Sequence, residues 1–116
     1  MFQINSLYIC VNDMDRAIGF YEDFFERKVS EKDRTYSVFE IDGFRFGLFA
    51  YQEMNENHLF GSNCLPSVNV NNKSILECKL SNLKVLFPLA KIGENWVAEI
   101  EDSEGNHIEI TAPVEC

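Results

Sequence analysis

The sequence predicts an α+β fold built from two tandem βαβββ modules. Three observations predict it. First, the chain is written twice. "VND" at 11–13 recurs as "VNN" at 70–72, and "VFEID" at 38–42 recurs as "VAEIE" at 97–101, both at an offset of 59. "FGLFA" at 46–50 then matches "IEITA" at 108–112 at an offset of 62; the three extra residues lie in "DSEGN", where "DG" serves the first time. Second, a helical apolar stripe follows the first strand of each copy. Third, Asp42-Gly43 joins two strand-like runs, a strong two-residue hairpin signal. The boundaries that follow are module 1 at 1–51, a polar linker "QEMNENHLFGSNC" at 52–64 and module 2 at 65–116, one domain of 116 residues.

Each element has a local reason. "INSLYICV" alternates, with Leu7, Ile9 and Val11 on one face. Asn12 or Asp13 caps a helix whose Met14, Ala17, Ile18, Tyr21, Phe24 and Phe25 recur at three- and four-residue spacing. A short strand is expected near Val29, then "TYSVFEI" and "FRFGLFAY" as a hairpin. In the second copy "LPSVNV" is the first strand, and Asn71 or Asn72 caps a weaker helix carrying Ile75, Leu76, Leu80 and Leu83. "KVLFPLAKI" is a strand broken by Pro88, so an edge or a bulge. "NWVAEIE" and "HIEITA" complete the module. A lone βαβββ unit leaves one sheet face bare, and two such units can cover each other around a cleft.

The bulk composition narrows the function. A hydrophobic share of 46% and a charged share of 25% are those of a globular domain. A chain of this length buries about two-thirds of its unfolded surface and needs no staple. The net charge of −9 argues against nucleic acid, which needs a basic face, and against anionic membrane surfaces. It permits cationic ligands. Cys10, Cys64, Cys78 and Cys116 form no C-x-x-C pair, and the N-terminus "MFQINSLYICV" runs straight into a strand with no signal peptide. Free thiols and a cytoplasmic location are therefore expected. No apolar run reaches the length of a membrane span.

Two stretches carry a family resemblance. "VNDMDRAIGFYEDFF" at 11–25 is close to a V-x-D-x-x-x-A-x-x-F-Y pattern, and "EDSEGNHIEI" at 101–110 to a D-P-x-G-N-x-I-E-L pattern. With the paired βαβββ layout, the chain resembles the vicinal oxygen chelate superfamily, which includes glyoxalase I, extradiol dioxygenases, fosfomycin-resistance enzymes and bleomycin-resistance proteins. The resemblance implies an open, curved mixed sheet around a cleft of the glyoxalase/bleomycin-resistance type. Fold alone does not set function, because this one hosts metal catalysis and drug sequestration alike. Locally, the motifs have structural readings: Phe20-Tyr21 sits at the helix–sheet boundary, and Gly105-Asn106 supplies a positive-φ turn.

The resemblance also implies where a metal would be held: on the first and last strands of each module. Those positions fall on Ser6, Gly47, Leu65 and Glu109. A divalent site needs three or four converging donors, and only Glu109 is a carboxylate. No resident cofactor is therefore expected. The alternative is a divergent centre for Zn, Ni, Mn or Fe on Glu109 and His107, with His58 of the linker in reach. No nucleophile elbow or phosphate-cradling glycine loop is present, and no catalytic residue is assigned.

Strand parity lists the candidate ligand-binding face. It offers Ser6, Tyr8 and Cys10; Arg45, Gly47, Phe49 and Tyr51; Leu65, Ser67, Asn69 and Asn71; and His107, Glu109 and Thr111. Tyr8, Phe49 and Trp96 are read as flat walls, Glu109 as an anchor for positive charge, and Arg45 as a candidate partner for Glu109. The favoured reading is a metal-free binder of an aromatic or cationic small molecule, resembling bleomycin-resistance proteins and acting as a homodimer. The alternative is a metal-dependent lyase or dioxygenase of the glyoxalase or extradiol type.

Overall fold

The computed structural model of the protein describes residues 2–57, 59–61 and 64–115. The chain divides between residues 60 and 61 into two compact units.

The first unit runs β1 (Ser6–Cys10), α1 (Met14–Phe25), β2 (Tyr36–Ile41) and β3 (Phe44–Phe49). Its sheet has the order β1-β3-β2, with β1 parallel and β2 antiparallel to β3. Asp13 is the helix N-cap; its Oδ1 accepts the Arg16 amide at 3.0 Å. The stripe read from sequence is the buried face: Met14, Ala17, Ile18, Tyr21 and Phe24. Tyr21 is fully buried, with ring centroids of Phe46 and Phe25 at 5.1 and 5.6 Å. Aromatic packing of this kind supplies large buried area per residue, which lets a single helix cover a three-stranded sheet. The β2–β3 hairpin turns on Asp42 (φ 50°) and Gly43 (φ 81°), the two positive values that match strand twist across a two-residue loop.

The strand expected near Val29 does not form. The Val29 amide donates to the Glu22 carboxylate at 3.0 Å rather than to a neighbouring strand. Farther on, Asp33 Oδ2 accepts the amides of Thr35 and Tyr36 and turns the chain at once. Between these two capture points there is room only for an isolated bridge, Glu31 to Val38. Nor does Tyr51 extend β3: Tyr51–Met54 is a short 3-10 turn, so the stretch read as linker begins inside it.

The second unit runs β4 (Ser67–Asn69), α2 (Lys73–Leu80), β5 (Lys84–Ile92), β6 (Asn95–Glu101) and β7 (His107–Pro113), with sheet order β4-β7-β6-β5. Here the full βαβββ plan is realised. Asn72 caps α2 by accepting the Ile75 amide at 3.0 Å. Leu76 is the one buried residue of this helix, and Leu83 lies beyond its end. The core is instead built by the sheet, from Ala98, Ile100, Ile108, Ile110 and Ala112. β5 is an edge strand whose register shifts on both sides of Phe87, next to Pro88, as a residue without a ladder donor requires. The "EDSEGNH" turn is held by Asp102, whose Oδ1 accepts the amides of Glu104 and Asn106, both at 2.8 Å. Gly105 has φ 88°. That motif is thus a self-satisfied turn, with Asp102, Glu104 and Asn106 all buried.

The repeat is real at the level of register. Tyr8 pairs with Gly47 in the first sheet, and Ser67, at the matching offset, pairs with Glu109 in the second. The β6–β7 pairing has slid by two relative to the first hairpin: Val38 faces Gly47, but Val97 faces Thr111. A two-residue slide leaves every side chain on its original face.

No described helix is long and apolar enough to cross a membrane. Cys10, Cys64 and Cys78 are free thiols; Cys116 lies outside the described residues.

Candidate functional site

Each sheet has one face against its helix and one face turned away from it. In the first unit Leu7, Ile9, Phe46, Leu48, Ser37 and Phe39 take the helix side. By alternation and register, Tyr8, Tyr36, Gly47, Phe49 and Arg45 share the other. Tyr8 and Tyr36 meet edge to face, with centroids 5.5 Å apart at 80°. Tyr36 stacks on Phe49 at 4.8 Å and 7°. Tyr8 is 40% and Tyr36 44% exposed, while Phe49 is half-buried and Val38 on the same face is buried. The Tyr8 ring lies over Gly47: a Cβ added there would come within 2.3 Å of a Tyr8 ring carbon.

Arg45 borders the row. It donates to both carboxylate oxygens of Glu31, at 2.7 and 3.2 Å, and approaches Glu40 at 3.4 Å. The Glu31 carboxylate, hydrogen bonding with Tyr8 and the two acidic charges hold Arg45 firmly protonated, against the opposing effect of desolvation. Its carboxylate partners within the first unit are Glu31 and Glu40. Cys10, on the same face, has its thiol pushed up by burial first and by the Glu56 charge second, which makes it a weak nucleophile.

In the second unit Glu109 faces Glu99 across β6–β7 and Ser67 across β4–β7. Ser67 Oγ donates to Glu109 Oε1 at 2.6 Å. His107 Nδ1 lies 2.8 Å from Glu99 Oε1. Glu99, His107, Glu109 and Thr111 therefore share the face turned away from the helix. Trp96 does not. It pairs with Ala112, on the face that carries Ile108 and Ile110, and Lys73 Nζ of α2 sits 4.1 Å from its ring centroid. Trp96 as a wall beside Glu109 is thus corrected: β6 buries Ala98 and Ile100, and alternation puts Trp96 with them.

Of the residues read from sequence, the first sheet brings Tyr8, Arg45 and Phe49 together, and the second brings His107 and Glu109 together. His58 lies outside the described residues. Two residues were missed. Tyr36 follows from counting outward from the Asp42-Gly43 turn, which sets it opposite Phe49. Glu99 shares the face of His107 and Glu109 in either register, but its place directly opposite Glu109 follows only once the slid register is known.

The donor positions of the family's metal do not fit one. Gly47 has no donor, and the space its side chain would fill is taken by the Tyr8 ring. Leu65 has none either. Glu109 already accepts the Ser67 hydroxyl. Among the described residues no three His, Cys, Asp or Glu side chains are placed to hold a metal ion.

Known proteins place the fold. Over 97% of the chain it superposes on 88% of a glyoxalase-related enzyme from Fulvimarina pelagi, with a TM-score of 0.79 and 14% identity. A lactoylglutathione lyase from Agrobacterium tumefaciens matches at TM-score 0.75 and 17% identity, covering 95% of this chain and 92% of that one. A further Agrobacterium tumefaciens protein, solved by solution NMR, gives 0.82 and 16%, covering 99% and 100%. No curated protein matches the sequence. The family model for the Glyoxalase/Bleomycin resistance protein/Dioxygenase superfamily matches residues 3–110, almost the whole chain, and the protein belongs to that superfamily.

Proposed function

We propose that this superfamily member binds a flat, neutral or cationic small molecule without a resident metal, in the manner of a sequestering protein rather than an enzyme. The observation that carries the reading is the row Tyr8–Tyr36–Phe49, in which two exposed tyrosines lead onto a half-buried phenylalanine. Exposed aromatic rings cost solvation unless something covers them, and a planar ligand recovers about 0.5–1.5 kcal/mol per stacked ring beyond area burial. The charge beside the row is net negative, one arginine against Glu31 and Glu40, which favours a cationic over an anionic ring. Glu109, with Glu99 opposite, is the second unit's candidate anchor for a positive group. The protein is proposed to act as a homodimer, for which gel filtration at micromolar concentration is the check.

A thermal-shift series with planar aromatic cations tests the reading. Aminoacridines should raise the melting temperature where aliphatic ammonium ions of equal charge do not. Phe49→Ala and Tyr36→Ala should weaken binding, and EDTA should change nothing. A second reading has one observation behind it: His107 and Glu109 share one face of the second sheet, two donors that would need a third from elsewhere. It would make the protein a divalent-metal lyase or dioxygenase. Stoichiometric Zn, Ni, Mn or Fe in purified protein, lost in Glu109→Ala, would establish that reading and remove the first.

A further inference from the structure

Gly47 raises a question that its backbone does not answer. Its φ is not among the positive values of this chain, so no turn or left-handed conformation requires glycine there. It sits in the middle strand of the first sheet, where glycine weakens a strand by having nothing to pack. The reason lies across the β1–β3 ladder. A Cβ at 47 would meet Tyr8 Cδ2 at 2.3 Å, Cε2 at 2.4 Å and Cγ at 2.7 Å. These are ring atoms near the stem, so the contact cannot be relieved by bending a flexible tip. The whole ring would have to swing. Tyr8 in turn meets Tyr36 edge-on, and Tyr36 lies parallel to Phe49. The matched pair in the second repeat, Ser67 and Glu109, keeps both side chains and joins them by a hydrogen bond. Only where an aromatic ring leans across the ladder is the partner stripped to hydrogen.

We infer that Gly47 is a positioning residue: its missing side chain lays the Tyr8 ring across the sheet as a stacking surface, and residue 47 thereby sets selectivity for planar aromatic over bulky, non-planar ligands. The selectivity half rests on the proposed function; the positioning half does not.

The test uses the full-length protein, the variants Gly47→Ala, Tyr8→Ala and the double variant, and 9-aminoacridine as planar probe with cyclohexylammonium as its non-planar counterpart. Without ligand, Gly47→Ala should abolish the Tyr8–Tyr36 ring-to-ring NOE and lower the melting temperature, and should do neither harm nor good to stability in the Tyr8→Ala background. With ligand, Gly47→Ala should weaken aminoacridine about tenfold, the double variant should be no worse than Tyr8→Ala alone, and cyclohexylammonium should be indifferent to all three. An intact NOE in Gly47→Ala overturns the positioning role. Wild-type affinity for aminoacridine in that variant, with the ring moved, overturns the selectivity role. If Gly47→Ala fails to fold, rescue by Tyr8→Ala supports the steric coupling, and no rescue defeats it. If the wild-type protein ignores every planar probe, the proposed function fails and takes selectivity with it, while the NOE still decides positioning.

Discussion

At one matched place the two repeats solve the same backbone problem with opposite chemistry. The first puts a tyrosine opposite a glycine; the second puts a serine opposite a glutamate. These two parallel ladders are equivalent, so what was kept at this place is register, and what diverged is the side chain that register presents. The same holds for the helices. α1 has twelve residues and buries five of them, two aromatic, against its sheet. α2 has eight and buries Leu76 alone. The first unit's core is made between helix and sheet, whereas the second unit's core is made mainly by its own strands, Ala98 and Ile100 against Ile108, Ile110 and Ala112.

The sharpest way to break this contrast is to hollow out each helix–sheet contact. Tyr21→Ala removes a ring that touches Phe24, Phe25, Phe39 and Phe46, and should cost about 3–5 kcal/mol, the range for large aromatic truncation in a core. Urea unfolding with an unchanged slope is the measurement. Leu76→Ala should cost less, near the lower end of about 2–5 kcal/mol, because α2 is short and buries no other residue that holds it in place. Equal losses in the two variants would mean that the second unit depends on its helix as heavily as the first.

The caps sharpen the comparison from the other side. Asp13 and Asn72 sit at matched places and accept their third-residue amides at the same 3.0 Å. Asp13→Ala and Asn72→Ala should each cost about 0.5–2 kcal/mol, with the aspartate larger because its charge also meets the helix dipole. Raising the salt concentration should narrow that gap. A gap that ignores salt would assign the difference to helix length instead.

Much of this was legible because short-range rules fixed it. A two-residue Asp-Gly turn, two capping side chains and a proline in an edge strand each act within a few residues, and all four behave as the sequence implies. What sequence reading missed needed a second segment. The Val29 strand failed because Glu22, seven residues back, captured its amide. Trp96 was misplaced because it was counted from its flatness rather than from Ala98 and Ile100 in the same strand. Gly47 read as a lost metal donor, since a one-letter string does not say which neighbour leans across a ladder. The candidate site suffers most from this limit: its faces follow from alternation, but its contacts follow from register and rotamer.

The smallest expected effect concerns pH and again separates two kinds of interaction, here within the first unit. Glu31 and Asp33 both have carboxyls below their ordinary values of 4.5 and 3.8, for different reasons. The hydrogen bond from Arg45, and then its charge, lowers Glu31; the amides of Thr35 and Tyr36 lower Asp33. Because both folded values are depressed, the unfolded chain binds more protons in acid. The stabilisation is present above about pH 4.5, where both groups are ionised in either state, and is lost as pH falls through the folded values. Both carboxylates are exposed, so the effect is small and solvent-screened. Arg45→Met should remove the Glu31 share and leave the Asp33 share, giving a melting temperature that falls less steeply between pH 5 and pH 3 than in the wild type, as an order-of-magnitude window of roughly two pH units. Added salt should shrink the Arg45-dependent difference and leave the rest, since an ion pair in water is screened and a backbone hydrogen bond is not. Parallel acid limbs in the two proteins would show that Arg45 contributes nothing to the first unit's stability, and that the ion pairs beside the aromatic row serve only to orient its edge.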